Sequence, residues 1–498
     1  MQIRFESKPP RRPAVLVVAA NADGRLLPAA QRLDRVLHGA LARVARRFKK
    51  SADGAELLAV AAPKGFAGRQ ILILKPGRKG IPDGPAAEAL GWRLVRELEA
   101  LHEPAAVLLL DAGLSAHVGG PELAARLALG ARFAAYRFDR YRTKPRPDDK
   151  GRVAGLTIVL SDARAAAKLW RRLEPVAAGI ELARDLENEP GNAIHPAQFV
   201  ERARAALAPL GVEVGVLEEP RLRRLGMNAL IAVGQGSAHR PRLLALRWRG
   251  ASGPPVAFVG KGVTFDSGGI SIKKAQGMEL MKTDMSGAAA VVGLFRSIAA
   301  RKVPVHAVGI MPLVENMPSG GAYRPGDVIR SFAGKTVEVV DTDAEGRMIL
   351  IDALAYAVDK HKPRAVIDLA TLTYSVVAAL GEVYAGLFSN DDALAGRLLA
   401  ASKLAGEKLW RLPLDADYLK NLKSRIADLR QCAPDEVHAD AAHAAAFLGE
   451  FVGGTPWAHL DIAGKMAVKD PLTEAPAGAP GYGVRTLDMA IEGLAEGR

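Results

Sequence analysis

Cysteine and long apolar runs are both scarce in this chain. Its single cysteine, Cys432, excludes an internal disulfide framework and a zinc site built from several cysteines. No apolar run approaches the ~20 residues that are needed to cross a bilayer. Residues 13–20 are apolar, but this short run precedes no small-residue cleavage site, so we expect a buried strand and not a signal peptide. These features favour a cytoplasmic protein that does not enter a membrane.

Several catalytic signatures are also absent. The chain has neither the His-Glu-x-x-His helix of many zinc proteases nor the Gly-x-Ser-x-Gly turn of serine hydrolases. Residues 234–236 read Gly-Gln-Gly but lack the third glycine of a dinucleotide-binding loop, and no phosphate-binding Walker loop is present. The sequence therefore lacks the commonest signatures of zinc-helix proteases, serine hydrolases and nucleotide-binding proteins.

Positive charge is concentrated in the first third of the chain. Residues 1–165 carry 29 Lys and Arg against 16 Asp and Glu, a net charge of +13, whereas residues 166–498 are nearly neutral with 39 against 38. Such asymmetry is a physical cue for a polyanionic partner such as nucleic acid. A solvated, arginine-rich surface would give the same count, and charge alone identifies no partner.

The length and the pattern of the chain predict two α/β domains. At 498 residues the chain is too long for one ordinary core. Apolar runs alternate with helical stretches throughout, which is typical of sheets covered by helices. We expect a smaller N-terminal α/β domain at residues 1–165 and a larger catalytic domain at 166–498, with a central mixed sheet flanked by helices. A long helix near the boundary would connect them.

The pattern also predicts individual elements. In the first domain the predicted strands are 14–19, 70–74, 106–110 and 155–160, and the predicted helices are 30–48, 86–101, 121–136 and 161–186. In the second domain the predicted strands are 256–259, 305–310, 337–340 and 365–369, and the predicted helices are 287–300, 346–359 and 441–451. Functional groups are expected at the carboxyl ends of the strands.

Acidic side chains follow two of these strands at predicted strand-to-helix turns. Asp343 and Glu345 are two positions apart, which in extended backbone places them on one face. Asp266 and Asp284 lie in separate turns that could converge with this pair.

Converging carboxylates repel one another unless cations neutralise them, and two divalent metal ions are the usual solution. Singly, each of these acids could instead cap a helix or stabilise a turn. Together with Lys261 and Lys273, the four acids favour a metal site.

The two acidic stretches resemble the signatures of the leucine aminopeptidase (cytosol aminopeptidase) family. Residues 341–347 read Asp-Thr-Asp-Ala-Glu-Gly-Arg and match six of the seven positions of the family motif Asn-Thr-Asp-Ala-Glu-Gly-Arg. Residues 260–269, Gly-Lys-Gly-Val-Thr-Phe-Asp-Ser-Gly-Gly, match the other motif. Further similar stretches lie at 188–190, 232–237, 315–320, 324–327, 368–373 and 456–464. The resemblance covers roughly residues 180–490 and implies an aminopeptidase that removes N-terminal residues from peptides.

The resemblance also assigns roles to individual residues. It implies two divalent metal ions in each subunit, Mn²⁺ or Zn²⁺ with Mg²⁺ as an alternative, bound by Lys261, Asp266, Asp284, Asp343 and Glu345. Lys273 would stay cationic and stabilise the tetrahedral intermediate. Arg347 would hold a bicarbonate ion, which accepts a proton from the metal-bridging water.

Two of the departures from the family pattern concern the second motif and the segment 428–443. Asp341 replaces the asparagine that begins the second motif, which either alters the metal ligands or is a neutral capping change. The segment 428–443 is unlike the glycine-rich stretch that is usual there. We expect its histidines, His438 and His443, at a surface or an interface and not at a third metal site.

A third departure concerns the pocket for the first side chain of the substrate. Tyr374 stands where the family usually has glycine, after Thr371 on a wall of this pocket, and Met281 matches the same pocket by position. We expect Tyr374 to shift the preference towards small or polar N-terminal residues.

The family resemblance implies a homohexamer acting on peptide substrates. Two rival functions remain: nucleic-acid binding through the basic N-terminal domain, and a catalytically silent homologue. The second is disfavoured because all the metal-binding and catalytic positions are intact.

Overall fold

The structure is a computed structural model, and it describes residues 1–48, 54–61, 63–144, 151–434, 439–467 and 478–495. The chain separates into two compact units, the first within residues 1–177 and the second from residue 178 onward. The predicted limit between residues 165 and 166 falls in the same helix as this division, Ala163–Asn188, and the domain limits stay a prediction. Over the described ranges, no helix is both long enough and apolar enough to cross a membrane.

The first unit contains a six-stranded sheet. Its strands are β1 Gln2–Glu6, β2 Val15–Ala19, β3 Glu56–Ala61, β4 Gln70–Lys75, β5 Ala105–Leu109 and β6 Gly155–Val159. Its helices are α1 Pro28–Val36, α2 Ala40–Ala45, α3 Gly84–Ala100, α4 Gly120–Ala135 and the start of α5 Ala163–Asn188. The strand order is β1-β6-β5-β2-β4-β3, and all neighbours are parallel except β3 and β4.

Both faces of this sheet are covered, which explains the continuous apolar runs of its central strands. Val17 and Leu72 belong to a core with α3 and α4, whereas Val18 and Ile73 belong to a core with α1 and α2. The α/β class predicted from the sequence is confirmed.

The predicted helix 30–48 is wrong, because the chain breaks into α1 and α2. His38 and Gly39 have φ of 49° and 78°, a left-handed conformation that ends α1 and that glycine adopts readily. The side chain of Asp34 then accepts a hydrogen bond from Leu41 N at 2.7 Å, which satisfies a free amide at the start of α2. The helical periodicity continues through this break and conceals it.

The second unit contains the remaining elements. Its strands are β7 Glu213–Glu218, β8 Arg242–Arg249, β9 Val256–Gly260, β10 Gly262–Asp266, β11 His306–Asn316, β12 Val328–Arg330, β13 Thr336–Glu338, β14 Ala365–Ala370, β15 Ala385–Ser389, β16 Leu409–Arg411, β17 Leu429–Arg430 and β18 Trp457–Asp461. Its helices are α6 Pro196–Leu207, α7 Glu219–Leu225, α8 Asn228–Gly234, α9 Ser286–Ala300, α10 Glu345–His361, α11 Tyr374–Leu380, α12 Asp392–Ala405, α13 Asp417–Lys420, α14 Asp440–Gly449 and α15 Val484–Ala495.

The main sheet of this unit is mixed, as predicted. Its order is β16-β15-β18-β14-β9-β11-β8-β7, and β10 pairs with the far end of β11. The four central strands β18, β14, β9 and β11 are parallel, whereas β8 and β15 run antiparallel to their neighbours towards the edges. Parallel strands place their carboxyl ends at one edge, where Lys261 and Asp266 follow β9 and end β10.

The predicted strand 337–340 is not part of this main sheet. It is the short strand β13, which pairs with β12 and β17 in a separate three-stranded sheet. The acidic residues after it therefore do not follow a strand of the central sheet. They reach the same place through the turn that leads into α10.

In the first unit, α3 and α4 pack closely through two glycines. A Cβ atom at Gly91 would lie 2.0 Å from the carbonyl oxygen of Leu127, and one at Gly130 would lie 1.8 Å from that of Glu88. Backbone atoms cannot yield as a flexible side chain can, so the helix spacing depends on these glycines.

We expect Gly130→Ala to destabilise the protein by ~1–3 kcal/mol, because the added methyl group forces the two helices apart. Urea-induced unfolding of the purified variants measures the effect. Gly119→Ala is the matched control, since Gly119 precedes the same helix with open space at its Cβ and ordinary extended backbone. Equal unfolding midpoints for the two variants would contradict this account of helix packing.

Candidate metal centre and active site

Lys261 lies at the break between β9 and β10 and reaches into a cluster of carboxylates. Its Nζ is 2.8 Å from Asp284 Oδ1 and 2.7 Å from Glu345 Oε1, and it donates a hydrogen bond of 2.7 Å to the carbonyl oxygen of Thr371. The side chain is buried. This lysine therefore joins three segments of chain at the carboxyl edge of the sheet.

Asp266 ends β10 and faces a second lysine. Its Oδ1 accepts hydrogen bonds from Gly268 N at 2.9 Å and from Asn316 Nδ2 at 2.8 Å. Its Oδ2 is 2.9 Å from Lys273 Nζ, which also pairs with Asp343. Two donors thus fix one oxygen of Asp266, and the other points towards the charged cluster.

The turn before α10 is tied to this end of the sheet. The carbonyl oxygen of Thr342 accepts hydrogen bonds from Asn316 Nδ2 at 2.9 Å and from the Tyr323 hydroxyl at 2.8 Å. The Thr342 hydroxyl donates to the carbonyl oxygen of Gly268 at 2.7 Å. Glu345 is already the first residue of α10, so the extended backbone predicted for Asp343 and Glu345 is wrong. The folded turn brings the two carboxylates together instead.

These carboxylates could hold metal ions. Oxygen atoms of Asp266, Asp343 and Glu345 all lie within 4.8 Å of one another. Asp284 Oδ2 and Glu345 Oε2 are buried and find no hydrogen-bond partner within the described part of the chain. A buried carboxylate oxygen without a donor is costly, and a cation would satisfy it. The residues therefore fit divalent metal ions.

Burial and mutual repulsion raise the pKa values of the acidic groups. Burial is the largest cause for Asp284, Glu345 and Asp343, and neighbouring carboxylates add to it; the pKa of Asp343 rises to about 7. Burial also lowers the pKa of Lys261, but Asp284 and Glu345 outweigh it, so that the net pKa of the lysine is raised. Without metal, Lys261 is thus a cation that neutralises the acids. Metal coordination requires it to lose its proton.

Arg347 lies in the first turn of α10 and is bound by the segment that departs from the family pattern. Its guanidinium is buried, with Nη2 at 2.9 and 3.1 Å from the two carboxylate oxygens of Asp440. Nη1 donates to the carbonyl oxygen of Gln431 at 3.0 Å and lies 3.7 Å from Cys432 Sγ. Burial and Arg347 act oppositely on the Cys432 thiol, and burial prevails, raising its pKa to about 11. This cysteine is therefore a poor nucleophile.

The three predicted pocket residues have different surroundings. The Thr371 hydroxyl donates to Asp284 Oδ1 at 2.5 Å, so Thr371 belongs to the cluster. Met281 is half-buried in the 3₁₀ turn before Asp284, whose amide donates to the Met281 carbonyl oxygen. Tyr374 is the first residue of α11, and it is 84% exposed.

Some residues that shape the centre had no role assigned from the sequence. Asn316 donates hydrogen bonds to Asp266 and to the carbonyl oxygen of Thr342. It lies in a stretch that resembles the family, but no role was assigned to it from the sequence. Asp461, at the end of β18, accepts hydrogen bonds from Leu372 N at 3.2 Å and from the Thr373 hydroxyl at 2.6 Å. It thereby fixes the turn that carries Thr371. The available signal was a polar residue inside a stretch that resembles the family, 315–320 for Asn316 and 456–464 for Asp461.

One histidine of the segment 428–443 was placed wrongly. His443 was expected at a surface or an interface, but it is buried in α14, edge-on to Tyr418 and 3.1 Å from Asn421 Nδ2. His438 lies outside the described residues.

Comparison with known proteins gives matches along nearly the whole chain. The model of the cytosol aminopeptidase family catalytic domain matches residues 181–488, and that of its N-terminal domain matches residues 15–145. A probable cytosol aminopeptidase of Caulobacter vibrioides is 44% identical over 489 residues, which is 97% of each chain. One of Methylobacterium radiotolerans is 50% identical over 378 residues, which is 75% of each.

Solved structures are similar as well. The bottromycin maturation enzyme BotP in complex with Mn is 36% identical, with a TM-score of 0.83, over 97% of this chain and 99% of that one. A mutant of tomato leucine aminopeptidase is 29% identical, with a TM-score of 0.85, over 99% of this chain and 96% of that one.

We expect Mn²⁺ to raise the thermal unfolding temperature of the metal-stripped protein, because an ion that binds only the folded state stabilises it. Glu345→Gln should lose most of this gain, since its carboxylate contacts Lys261 and lies among the proposed ligands. Differential scanning fluorimetry over a range of Mn²⁺ concentrations measures both. The gain should also be larger at pH 8 than at pH 6, since binding displaces protons from Lys261 and Asp343.

Asp392→Asn is the matched control for this measurement, because Asp392 is an exposed acid at the first position of α12, paired with Arg411. The control should retain the full Mn²⁺ effect. An Mn²⁺ effect that is equal in Glu345→Gln and the native protein would show that the ion binds elsewhere.

Proposed function

Because this chain belongs to the cytosol aminopeptidase family and is a metal-dependent aminopeptidase, we propose that its buried cluster holds two divalent metal ions. One ion would be held by Lys261, Asp266, Asp284 and Glu345. The other would be held by Asp266, Asp343 and Glu345, with the backbone carbonyl of Asp343. The observation that carries this proposal is the convergence of three carboxylates, with buried oxygens of Asp284 and Glu345 that lack a donor in the described structure.

Mn²⁺ is the first candidate for these ions. The proposed ligands are carboxylate and carbonyl oxygens with a single lysine nitrogen, a donor set that suits hard and borderline cations. The similar enzyme BotP has been solved in complex with Mn. Zn²⁺ and Mg²⁺ are the alternatives, and the order of preference among the three is part of the proposal.

When bound, the ions would polarise the carbonyl group of the scissile peptide bond and make a bridging water more acidic. Lys273 would act beside them. Its side chain is 23% exposed, so it lies at the open side of the cluster. Burial lowers its pKa, but Asp266 and Glu345 outweigh this and raise the net pKa, which keeps the ammonium charged. That charge would stabilise the negative oxygen of the tetrahedral intermediate.

Arg347 would provide the place for a proton acceptor. The family resemblance predicts a bicarbonate ion on this guanidinium. In this chain the carboxylate of Asp440 binds the same guanidinium through both oxygens. Bicarbonate and Asp440 are therefore alternative anions for one position.

We also propose that Tyr374 changes which N-terminal residues are cleaved. It begins α11, two residues after Leu372 and close in sequence to Thr371, which contacts Asp284. A large, exposed phenol ring at the rim of the first side-chain pocket would leave less room for leucine than the glycine that is usual in the family.

Three properties of the whole protein stay predictions. The family resemblance implies a homohexamer and a cytoplasmic location. The net charge of +13 in residues 1–165 keeps nucleic-acid binding as a second activity under consideration. The pattern of basic residues in this region has no further feature that selects a partner.

We expect the metal-stripped protein to hydrolyse leucine-, alanine- and arginine-p-nitroanilide once Mn²⁺, Zn²⁺ or Mg²⁺ is added back. Glu345→Ala should abolish this activity, because it removes a shared ligand. Lys273→Met should lower kcat by ~10²–10³-fold, since it removes one cation from the developing oxyanion. Release of p-nitroaniline measures all three.

Lys274→Met is the matched control, because Lys274 is the adjacent exposed lysine and should be dispensable. Absence of activity with every metal and substrate would shift the assignment to a silent homologue. Equal losses in Lys273→Met and Lys274→Met would contradict the role of Lys273.

We expect Tyr374→Gly to raise the ratio of kcat/KM for leucine over alanine p-nitroanilide by ~10-fold, because it reopens the pocket by several methylene volumes. Tyr374→Phe, which keeps the size and removes the hydroxyl, should leave the ratio near that of the native protein. A native ratio that already favours leucine strongly, and that Tyr374→Gly does not change, would refute the pocket assignment.

A further inference from the structure

The guanidinium of Arg347 is held by protein groups, and its charge interacts with that of Glu345 in the proposed metal centre. The arginine is two residues beyond Glu345 in the first turn of α10, and its side chain is only 2% exposed. A charge so deeply buried must be paired, because an unpaired buried charge is strongly destabilising. Asp440 provides the pairing carboxylate, with contacts of 2.9 and 3.1 Å to the same nitrogen.

A second set of hydrogen bonds connects Arg347 to the turn that carries Asp343. The side-chain oxygen of Gln431 accepts from Val340 N at 2.6 Å, and its side-chain nitrogen donates to the carbonyl oxygen of Ala344 at 3.1 Å. Its own backbone carbonyl then accepts from Arg347 Nη1 at 3.0 Å. The guanidinium is therefore fixed to the turn that carries Asp343.

The carboxylate of Asp440 is held in place but remains open to solvent on one side. Asp440 is the first residue of α14, and the next amide, Ala441 N, donates to the Ser375 hydroxyl at 2.6 Å. This ties the start of α14 to α11, directly after the Thr371–Thr373 turn at the cluster. The Asp440 side chain is 42% exposed. An anion thus lies between a buried cation and accessible space.

We propose that Asp440 is the resident anion of Arg347 and replaces an external bicarbonate ion as the proton acceptor of the reaction. This inference rests on the proposed aminopeptidase function. The proton of the attacking water passes to the Asp440 carboxylate as the water oxygen bonds to the carbonyl carbon. The same proton then passes to the leaving amine as the carbon–nitrogen bond breaks. No oxidant, reductant or further reactant is needed.

Arg347 supports this role in two ways. One nitrogen of its guanidinium binds both carboxylate oxygens in a charge-assisted contact and so holds the group in place. It also lies next to the acidic cluster, whose repulsion would otherwise drive another carboxylate away. A glycine at position 440 would leave the guanidinium to an ion from solution.

The test combines kinetics with a direct binding measurement, on the full-length metal-loaded protein. In bicarbonate-free buffer the native protein should be fully active, and added bicarbonate should not stimulate it. Asp440→Gly should lose ~10²-fold in kcat with little change in KM, since it removes a proton acceptor and not a substrate contact. Bicarbonate or formate should restore much of this activity, because either ion fits the space left by the side chain.

Thermal unfolding gives the readout that does not depend on activity. Bicarbonate should raise the unfolding temperature of Asp440→Gly, relative to chloride at equal ionic strength, and leave the native protein unchanged. Asp392→Gly is the matched control, since Asp392 is also the first residue of a helix and paired with an arginine. It should show neither rescue nor a bicarbonate-dependent shift.

The outcomes separate this inference from the proposed function. Stimulation or stabilisation of the native protein by bicarbonate, or full activity of Asp440→Gly without any anion, would overturn it. An inactive native protein would count against the aminopeptidase function, while the unfolding measurement would still decide whether Asp440 occupies the position. Asp440→Asn keeps the shape of the side chain and removes its charge. Should Asp440→Gly not fold, an unchanged kcat in Asp440→Asn would refute the role of Asp440 as proton acceptor, and a loss of kcat would support it.

Discussion

Mutual repulsion among buried carboxylates is the constraint on which the catalytic unit depends. Asp284 and Glu345 are almost fully buried, and burial together with neighbouring acids raises their pKa values. In the metal-free protein Lys261 and Lys273 supply the opposing charge through direct contacts of each lysine with two carboxylates. Metal ions would take over this neutralisation in the active enzyme. The ligands can therefore stay in place in both states, because neither leaves several like charges unpaired.

The backbone makes room for this concentration of charge. Lys261 lies between Gly260 and Gly262. It separates β9 from β10, two consecutive strands that both pair in parallel with β11. A Cβ atom at Gly260 would lie 2.5 Å from the carbonyl oxygen of Gly287, and one at Gly262 would lie 2.6 Å from that of Pro312. The chain at Lys261 is thus pressed between α9 and β11. Only glycine on either side permits this approach, which fixes the position of the lysine side chain.

Arg347 shows the same need for charge pairing at a position outside the proposed metal ligands. It is a buried cation near an acidic cluster, and its partner comes from a segment whose sequence departs from the family pattern. Among the described residues of that segment, Asp440, Gln431 and Cys432 contact it. This segment therefore departs from the family pattern where it contacts the buried Arg347. In our proposal, the change of sequence in this place alters the proton acceptor that the enzyme uses, while the fold around it is retained.

The sequence by itself determined the family, the α/β class and the places of eight of the eighteen described strands, because short motifs and apolar periodicity are local properties. It also named the side chains that we propose bind metal and act in catalysis. It could not locate the break at Gly39 or the turn that folds Asp343 towards Glu345, because helical periodicity and two-residue spacing persist through both. The tertiary structure alone decided which distant residues meet. Asp440 binds a guanidinium 93 positions away, and Lys261 binds a carbonyl group 110 positions away. Such contacts depend on the order of strands in the sheet and on buried charges finding partners, and neither is written in any local stretch of sequence.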